Sequence, residues 1–128
     1  MRARGQHQAC RLFAHLTWHT YRSEPSIRAQ QVSTVTDAIR SAARRTKSLV
    51  LAQAVLSDHI HVVIRPAPDA TVSAFVRDAK SESSRRVGEA LRCQRGYFAD
   101  SISPSGVIGV RNYVARQFIR HPDKIPPG

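Results

Sequence analysis

Two histidines flank one isoleucine in residues 58–64, which read DHIHVVI. Successive side chains of a β-strand point to opposite faces, so His59 and His61 would share one face while Ile60 and Val62 point the other way. Two neighbouring imidazoles on one face can bind a divalent metal ion. The alternative is that one histidine is a hydrogen-bonded core residue and the other lies at the surface. This run by itself leaves both interpretations open.

A second candidate pair lies near the end of the chain, in a segment with helical spacing. Tyr113 and Gln117 are four residues apart, so a helix would place them on one face. Gly106 and Gly109 lie on the Tyr113 side, and a glycine inside a helix costs about 1 kcal/mol, which indicates a close approach by another group. The alternative is that Tyr113 packs at the core edge and Gln117 faces solvent. The apolar stripe beside them consists of Val107, Val110, Val114 and Phe118.

The composition is that of one folded domain. The chain has 128 residues, of which 41% are hydrophobic, enough for a core. No apolar stretch approaches the roughly 20 residues of a membrane helix, and the basic start lacks a signal core, so we expect a cytoplasmic protein without membrane contact. Cys10 and Cys93 match no zinc spacing and are interpreted as free thiols. We expect a single domain over residues 11–120, with flexible ends at 1–10 and 121–128.

The net charge of +11 is the strongest compositional feature, and arginine far outnumbers lysine. The arginine guanidinium can donate two parallel hydrogen bonds to a phosphate, so nucleic acid is the favoured class of partner. A GC-rich genome would also favour arginine over lysine, but it would not explain the shortage of acidic residues.

The elements that must position these residues follow from apolar periodicity. We predict strands at residues 12–20, 48–56, 59–65 and 96–102, and helices at 31–45, 71–91 and 103–120. Ser103 is suited to cap the last helix, with Pro104 at its first position. The order β-α-β-β-α-β predicts an α+β, ferredoxin-like split βαβ fold, in which an antiparallel sheet carries helices on one face. The additional C-terminal helix would carry Tyr113.

Four segments in this order resemble one family. They are residues 15–22 (HLTWHTYR), 58–61 (DHIH), 80–86 (KSESSRR), and 96–98 with 112–117 (GYF and NYVARQ). Together they resemble the single-tyrosine HUH transposases of small bacterial insertion sequences and their repeat-associated relatives, over roughly residues 11–119.

The resemblance implies an enzyme that nicks and rejoins single-stranded DNA. Carried over by position, His59, His61 and Gln117 would bind Mg²⁺ or Mn²⁺, and Tyr113 would attack the scissile phosphate to leave a 5′-phosphotyrosine and a free 3′-OH. It also implies a DNA substrate with a hairpin and a homodimer, whose active site is completed either within one chain or between two. Basic side chains predicted to contact DNA are Arg22, Arg77, Lys80, Arg85, Arg86 and Arg116.

Two other functions remain open. A non-catalytic nucleic-acid-binding module would use the same basic helix, with Trp18, Tyr21 and Tyr97 available for base stacking. A metal-dependent nuclease would use water as the nucleophile and leave Tyr113 a structural role.

Overall fold

A computed structural model describes residues 12–88 and 91–128. Four strands form one antiparallel sheet in the order β2-β3-β1-β4. The elements, in chain order, are β1 (Phe13–His19), α1 (Val32–Arg45), β2 (Ser48–Val55), β3 (His59–Pro66), α2 (Val72–Val87), β4 (Phe98–Ile102), α3 (Val107–Ala115) and α4 (Gln117–Arg120). The predicted α+β, ferredoxin-like fold is confirmed.

One face of the sheet packs against α1 and α2. Alternation along β1 places Leu16 and Trp18 on this face, and both are buried. The Trp18 ring meets the Phe75 ring of α2 edge-on, with centroids 6.4 Å apart. From β3, the side chains of Ile60 and Val62 join the same core. This larger core holds the strands in register.

The opposite face carries the histidines. In the antiparallel register, Thr17 lies across from His61 and His19 lies across from His59. Cross-strand neighbours share a face, so all four side chains emerge together. A smaller apolar cluster from β2, β3, β4 and α3, which includes Val114, covers part of this face beside them.

The predicted last helix differs from the structure. Pro104–Gly106 form a 3₁₀ turn, α3 follows, and the backbone breaks at Arg116 (φ −96°, ψ 8°) before α4. The Tyr113 carbonyl accepts hydrogen bonds from the Arg116 N–H and the Gln117 side chain, which take the place of the next regular helical bond. Ser103 occupies the predicted N-cap position before Pro104, but its hydroxyl bonds the Ser105 hydroxyl and not a backbone N–H.

Two glycines shorten other elements. The second helix was predicted to reach residue 91, but α2 ends at Val87 because Gly88 has φ +98°. The last strand was predicted to begin at residue 96, but Gly96 has φ +81°, and β4 begins at Phe98. In both places a glycine adopts a positive φ, which a residue without a Cβ allows and which interrupts the regular helix or strand.

The chain end lies along the rest of the domain. The Lys124 carbonyl accepts a hydrogen bond from the Ser57 N–H at 2.8 Å, and the Pro127 carbonyl accepts one from the Ala29 N–H at 2.7 Å. The flexibility expected of residues 121–128 stays a prediction about motion. The flexible start predicted at residues 1–10, and Cys10 with it, lies outside the described residues. Within the described part of the chain, no helix is long and apolar enough to cross a membrane.

Candidate active site

Strands β1 and β3 bring four imidazoles together on the face opposite α1 and α2. The ring centroids of His59 and His61 are 4.9 Å apart, which confirms that the two share a face. His15 stacks on His61 with centroids 5.1 Å apart, and His19 stacks on His59 at 5.3 Å. His59 and His61 are only 8% and 6% exposed. The two predicted metal ligands are therefore adjacent and largely shielded from water.

Each of the two predicted ligands has its Nδ1 atom engaged. His59 Nδ1 lies 2.7 Å from Asp58 Oδ1, and His61 Nδ1 lies 2.9 Å from His15 Nε2. A carboxylate only accepts, so His59 Nδ1 carries a hydrogen, and in the neutral form of the ring the lone pair lies on Nε2. Within the described ranges, neither Nε2 atom has a protein hydrogen-bond partner.

Asp58 is itself held in place by the end of the chain. The Lys124 ammonium donates to Asp58 Oδ2. Burial by itself would raise the pKa of the Asp58 carboxyl, but hydrogen bonds from Lys124 and His59 outweigh it and hold that pKa below its usual value. The carboxylate therefore stays charged and able to orient His59.

His61 and His15 favour the neutral form. Burial, reinforced by the neighbouring histidines, lowers the pKa of His61 to about 3. Burial also lowers the pKa of His15, with Asp100 acting in the opposite direction. A metal ligates the neutral imidazole, so the two shifts suit a metal site.

Tyr113 reaches this cluster from the same chain. Its ring centroid lies 6.1 Å from that of His61 and 5.9 Å from that of His15, with both contacts edge-on. The residue is 39% exposed. The Arg120 guanidinium lies 5.1 Å from the Tyr113 ring centroid. The phenol ring thus lies beside His61 and His15, open to solvent and next to a positive charge.

Gln117 combines complete burial with an unpaired acceptor. Its Nε2 donates to the Tyr113 carbonyl at 3.1 Å, whereas its buried Oε1 has no partner in the described structure. An unpaired buried carbonyl oxygen costs about 1–3 kcal/mol, which a bound cation would offset. The sequence alternative of a solvent-facing Gln117 is wrong, because the residue is 0% exposed.

These donors fit a hard divalent ion completed by water. Two imidazole nitrogens and one amide oxygen form a mixed set that Mn²⁺ accepts, and that Mg²⁺ accepts with several waters. Among the residues that the structure describes, no three His, Cys, Asp or Glu side chains form a metal cluster. The unpaired amide oxygen of Gln117 stays the predicted third donor.

The sequence matches the family described as "Transposase IS200 like" over residues 8–117. The chain belongs to this family. The fold is similar to that of a REP-associated tyrosine transposase solved with a bound REP hairpin (TM-score 0.70, 16% identity, covering 88% of this chain and 68% of that one). It is also similar to a putative transposase from Deinococcus radiodurans R1 (TM-score 0.64, 19% identity, covering 82% of this chain and 89% of that one). A search of curated proteins finds no match.

Three of the six basic side chains predicted to bind DNA make contacts within the protein in this IS200-like transposase. Arg85 and Arg86 both pair with the Glu82 carboxylate, and Arg86 also donates to Ser41. Lys80 donates to the carbonyls of residues 94 and 96, so it fastens the loop before β4.

The other three basic side chains are exposed. Arg77 lines a groove of ≈ 660 Å³ between α2 and that loop, which Tyr97 also lines. Arg22 lies over the Tyr21 ring at 5.2 Å, and Arg116 is exposed at the break between α3 and α4. DNA contact by all six stays a prediction.

The sequence did not identify several neighbours of the site. His15 was visible as part of an alternating β1 face, but its bond to His61 spans 46 residues. Lys124 acts on Asp58 across 66 residues, and no local pattern indicates that pairing. Arg120 lies one turn beyond the predicted ligand Gln117, a spacing that could have drawn attention to it.

Proposed function

We propose that this IS200-like transposase nicks single-stranded DNA and transfers the cut strand through a covalent link to Tyr113. The observation that carries the proposal is the placement of the Tyr113 ring against His61 and His15 within one chain. The ring of Tyr113 thereby lies next to one of the two proposed metal ligands, which a nucleophile at a metal-bound phosphate requires. The same geometry supports an active site completed within one chain.

The covalent step replaces one phosphate ester with another. The Tyr113 oxygen loses its proton to water and bonds to phosphorus while the bond between phosphorus and the 3′ oxygen breaks. The 3′ oxygen takes up a proton from water, which leaves a free 3′-OH and a 5′-phosphotyrosine. Because the ester bond is conserved, the reverse attack by a 3′-OH rejoins DNA without ATP. Arg120 adds a positive charge beside the Tyr113 ring.

His59, His61 and Gln117 are the residues that would hold Mg²⁺ or Mn²⁺. When bound, the ion supplies Lewis-acid charge that offsets the negative charge developing on the phosphate. The chain's own contribution is orientation: Asp58 fixes the ring of His59, and Gln117 Oε1 remains unpaired in its buried position.

A hairpin-bearing single strand is the proposed substrate. The net charge of +11 favours association with phosphates. We assign the phosphate contacts to Arg22, Arg77, Lys80, Arg85, Arg86 and Arg116. A homodimer is part of the proposal, with each chain supplying both Tyr113 and its own histidine pair.

A covalent-capture assay tests the function. A single-stranded hairpin oligonucleotide labelled at its 3′ end is incubated with Mn²⁺ and protein, and the label should migrate with protein on a denaturing gel. Tyr113→Phe keeps the ring and removes the attacking oxygen, so it should abolish the adduct while DNA binding persists. Tyr97→Phe and Tyr21→Phe are the matched controls and should retain it.

The outcomes separate the three functions. An adduct that persists in Tyr113→Phe would assign the nucleophile to another residue. Cleavage without an adduct would point to a nuclease that uses water. Binding without cleavage under all divalent metals would point to a non-catalytic binding module.

A further inference from the structure

His15 lies directly behind His61, although nothing in the proposed reaction requires a third imidazole there. His15 Nε2 is 2.9 Å from His61 Nδ1, and the two rings are nearly parallel, with an interplanar angle of 27°. Thr17 Oγ1 is the next polar atom, at 3.3 Å from the same Nδ1. The shorter contact makes His15 the principal partner of His61.

The contact between two ring nitrogens can hold only one hydrogen. If His15 Nε2 carries it, His61 Nδ1 accepts, and the hydrogen of a neutral His61 then lies on Nε2. A protonated nitrogen has no lone pair for a metal, so that arrangement removes His61 from the site. If His61 Nδ1 carries the hydrogen, its Nε2 is free to ligate.

We propose that His15 is a positioning residue of the metal site, which accepts the Nδ1 hydrogen of His61 and so keeps His61 Nε2 free for the ion. The inference rests on the proposed function, because it assigns a tautomer to one of the proposed ligands. His59 already has the equivalent support from the Asp58 carboxylate. The two ligands would thus be oriented by different chemistry: a carboxylate behind one and an imidazole behind the other.

The surroundings of His15 are compatible with this role. In the register of β1 with β4, Asp100 lies directly across from His15, on the side away from β3. Its negative charge favours a hydrogen on the His15 nitrogen that does not face His61. The His15 ring also meets the Tyr113 ring edge-on at 5.9 Å, so a change at His15 would affect catalysis for two reasons. A test must therefore read the tautomer and the metal affinity, not activity.

The hydrogen can be located in the metal-free protein. Long-range ¹H–¹⁵N correlation spectra of histidine side chains distinguish a protonated Nδ1 from a protonated Nε2. With ¹⁵N-histidine-labelled wild-type protein, assigned through a His61→Gln variant, we expect the hydrogen of His61 on Nδ1. This measurement requires no folded variant of His15.

Metal affinity is measured with MnCl₂ alone by isothermal titration calorimetry. His15→Phe keeps a flat ring and removes the acceptor, so the Mn²⁺ Kd should rise about 10–100-fold, the usual effect of losing such a partner. His15→Gln supplies an acceptor oxygen and should recover part of that loss. His19→Phe is the matched control, because His19 stacks on His59 without bonding it, and its Kd should stay within about twofold.

Two results would overturn the inference: a His61 hydrogen on Nε2 in the wild type, or equal Mn²⁺ affinity in His15→Phe and the wild type. Failure of the proposed function looks different. In that case neither the wild type nor His59→Ala binds Mn²⁺, while the spectra still report which nitrogen of His61 carries the hydrogen.

Discussion

Replacing Gln117 with methionine should leave the metal-free protein at least as stable as the wild type. The Gln117 Nε2 bond to the Tyr113 carbonyl contributes about 0.5–1.5 kcal/mol. That carbonyl also accepts from the Arg116 N–H at 3.2 Å, so it stays paired in the variant. Removing the unpaired Oε1 recovers about 1–3 kcal/mol, and methionine is of similar volume. The net effect lies between a loss of about 0.5 kcal/mol and a gain of about 2.5 kcal/mol, with a gain of about 1 kcal/mol at the centre of the range.

The same substitution should remove most of the stabilisation by metal. With Mn²⁺ at 100 times its Kd, the wild type gains about 2.7 kcal/mol of unfolding free energy. If loss of the Oε1 donor raises Kd by about 10–100-fold, the same concentration contributes only about 0.4–1.4 kcal/mol. Urea unfolding with and without MnCl₂ measures both quantities, with unchanged m values as the check on two-state behaviour.

Gln53→Met is the matched control. Gln53 also carries a buried amide without partners in the described structure, but it pairs with Val62 in the strand register and so lies on the face toward α1 and α2. Its replacement should leave the response to Mn²⁺ unchanged. The reasoning about Gln117 fails if Gln117→Met destabilises the metal-free protein by more than about 1 kcal/mol, or if Mn²⁺ stabilises that variant as much as the wild type.

Three further predictions concern charge and assembly. Lys124→Met should lower stability by about 1 kcal/mol at neutral pH, because Asp58 loses its partner. The pKa of Asp58 lies below its usual value, so this contribution is complete above about pH 4 and is lost as pH falls through the folded-state pKa. Urea unfolding curves of the variant and the wild type should therefore converge in acid. A gap in unfolding free energy that stays constant with pH would contradict the assignment. Arg77→Gln should weaken hairpin binding and reduce the slope of log K against log salt by about 1, and an unchanged slope would exclude a phosphate contact. Mixing His61→Ala with Tyr113→Phe should restore no adduct, because Tyr113 and His61 meet within one chain; recovered capture would show exchange between chains.

The sequence determined the element order and the faces of the sheet. Alternation along β1 separates Leu16 and Trp18 from His15 and His19, because side chains two residues apart must share a face. The same rule places His59 and His61 together. Local patterns also located the helices. They missed the helix ends that depend on the backbone conformation of a single residue, as at Gly88 and at the break after α3.

Only the tertiary structure decided which atoms of these residues are free. His61 meets His15 across 46 residues, and Asp58 meets Lys124 across 66. Such contacts depend on strand register and on where the chain end docks, and neither leaves a periodic trace in the sequence. The unpaired oxygen of Gln117 likewise depends on the break at Arg116, which turns the side-chain amide back to the Tyr113 carbonyl. Residue types and spacing identify possible ligands, whereas hydrogen-bond partners from distant segments determine which lone pairs remain for chemistry.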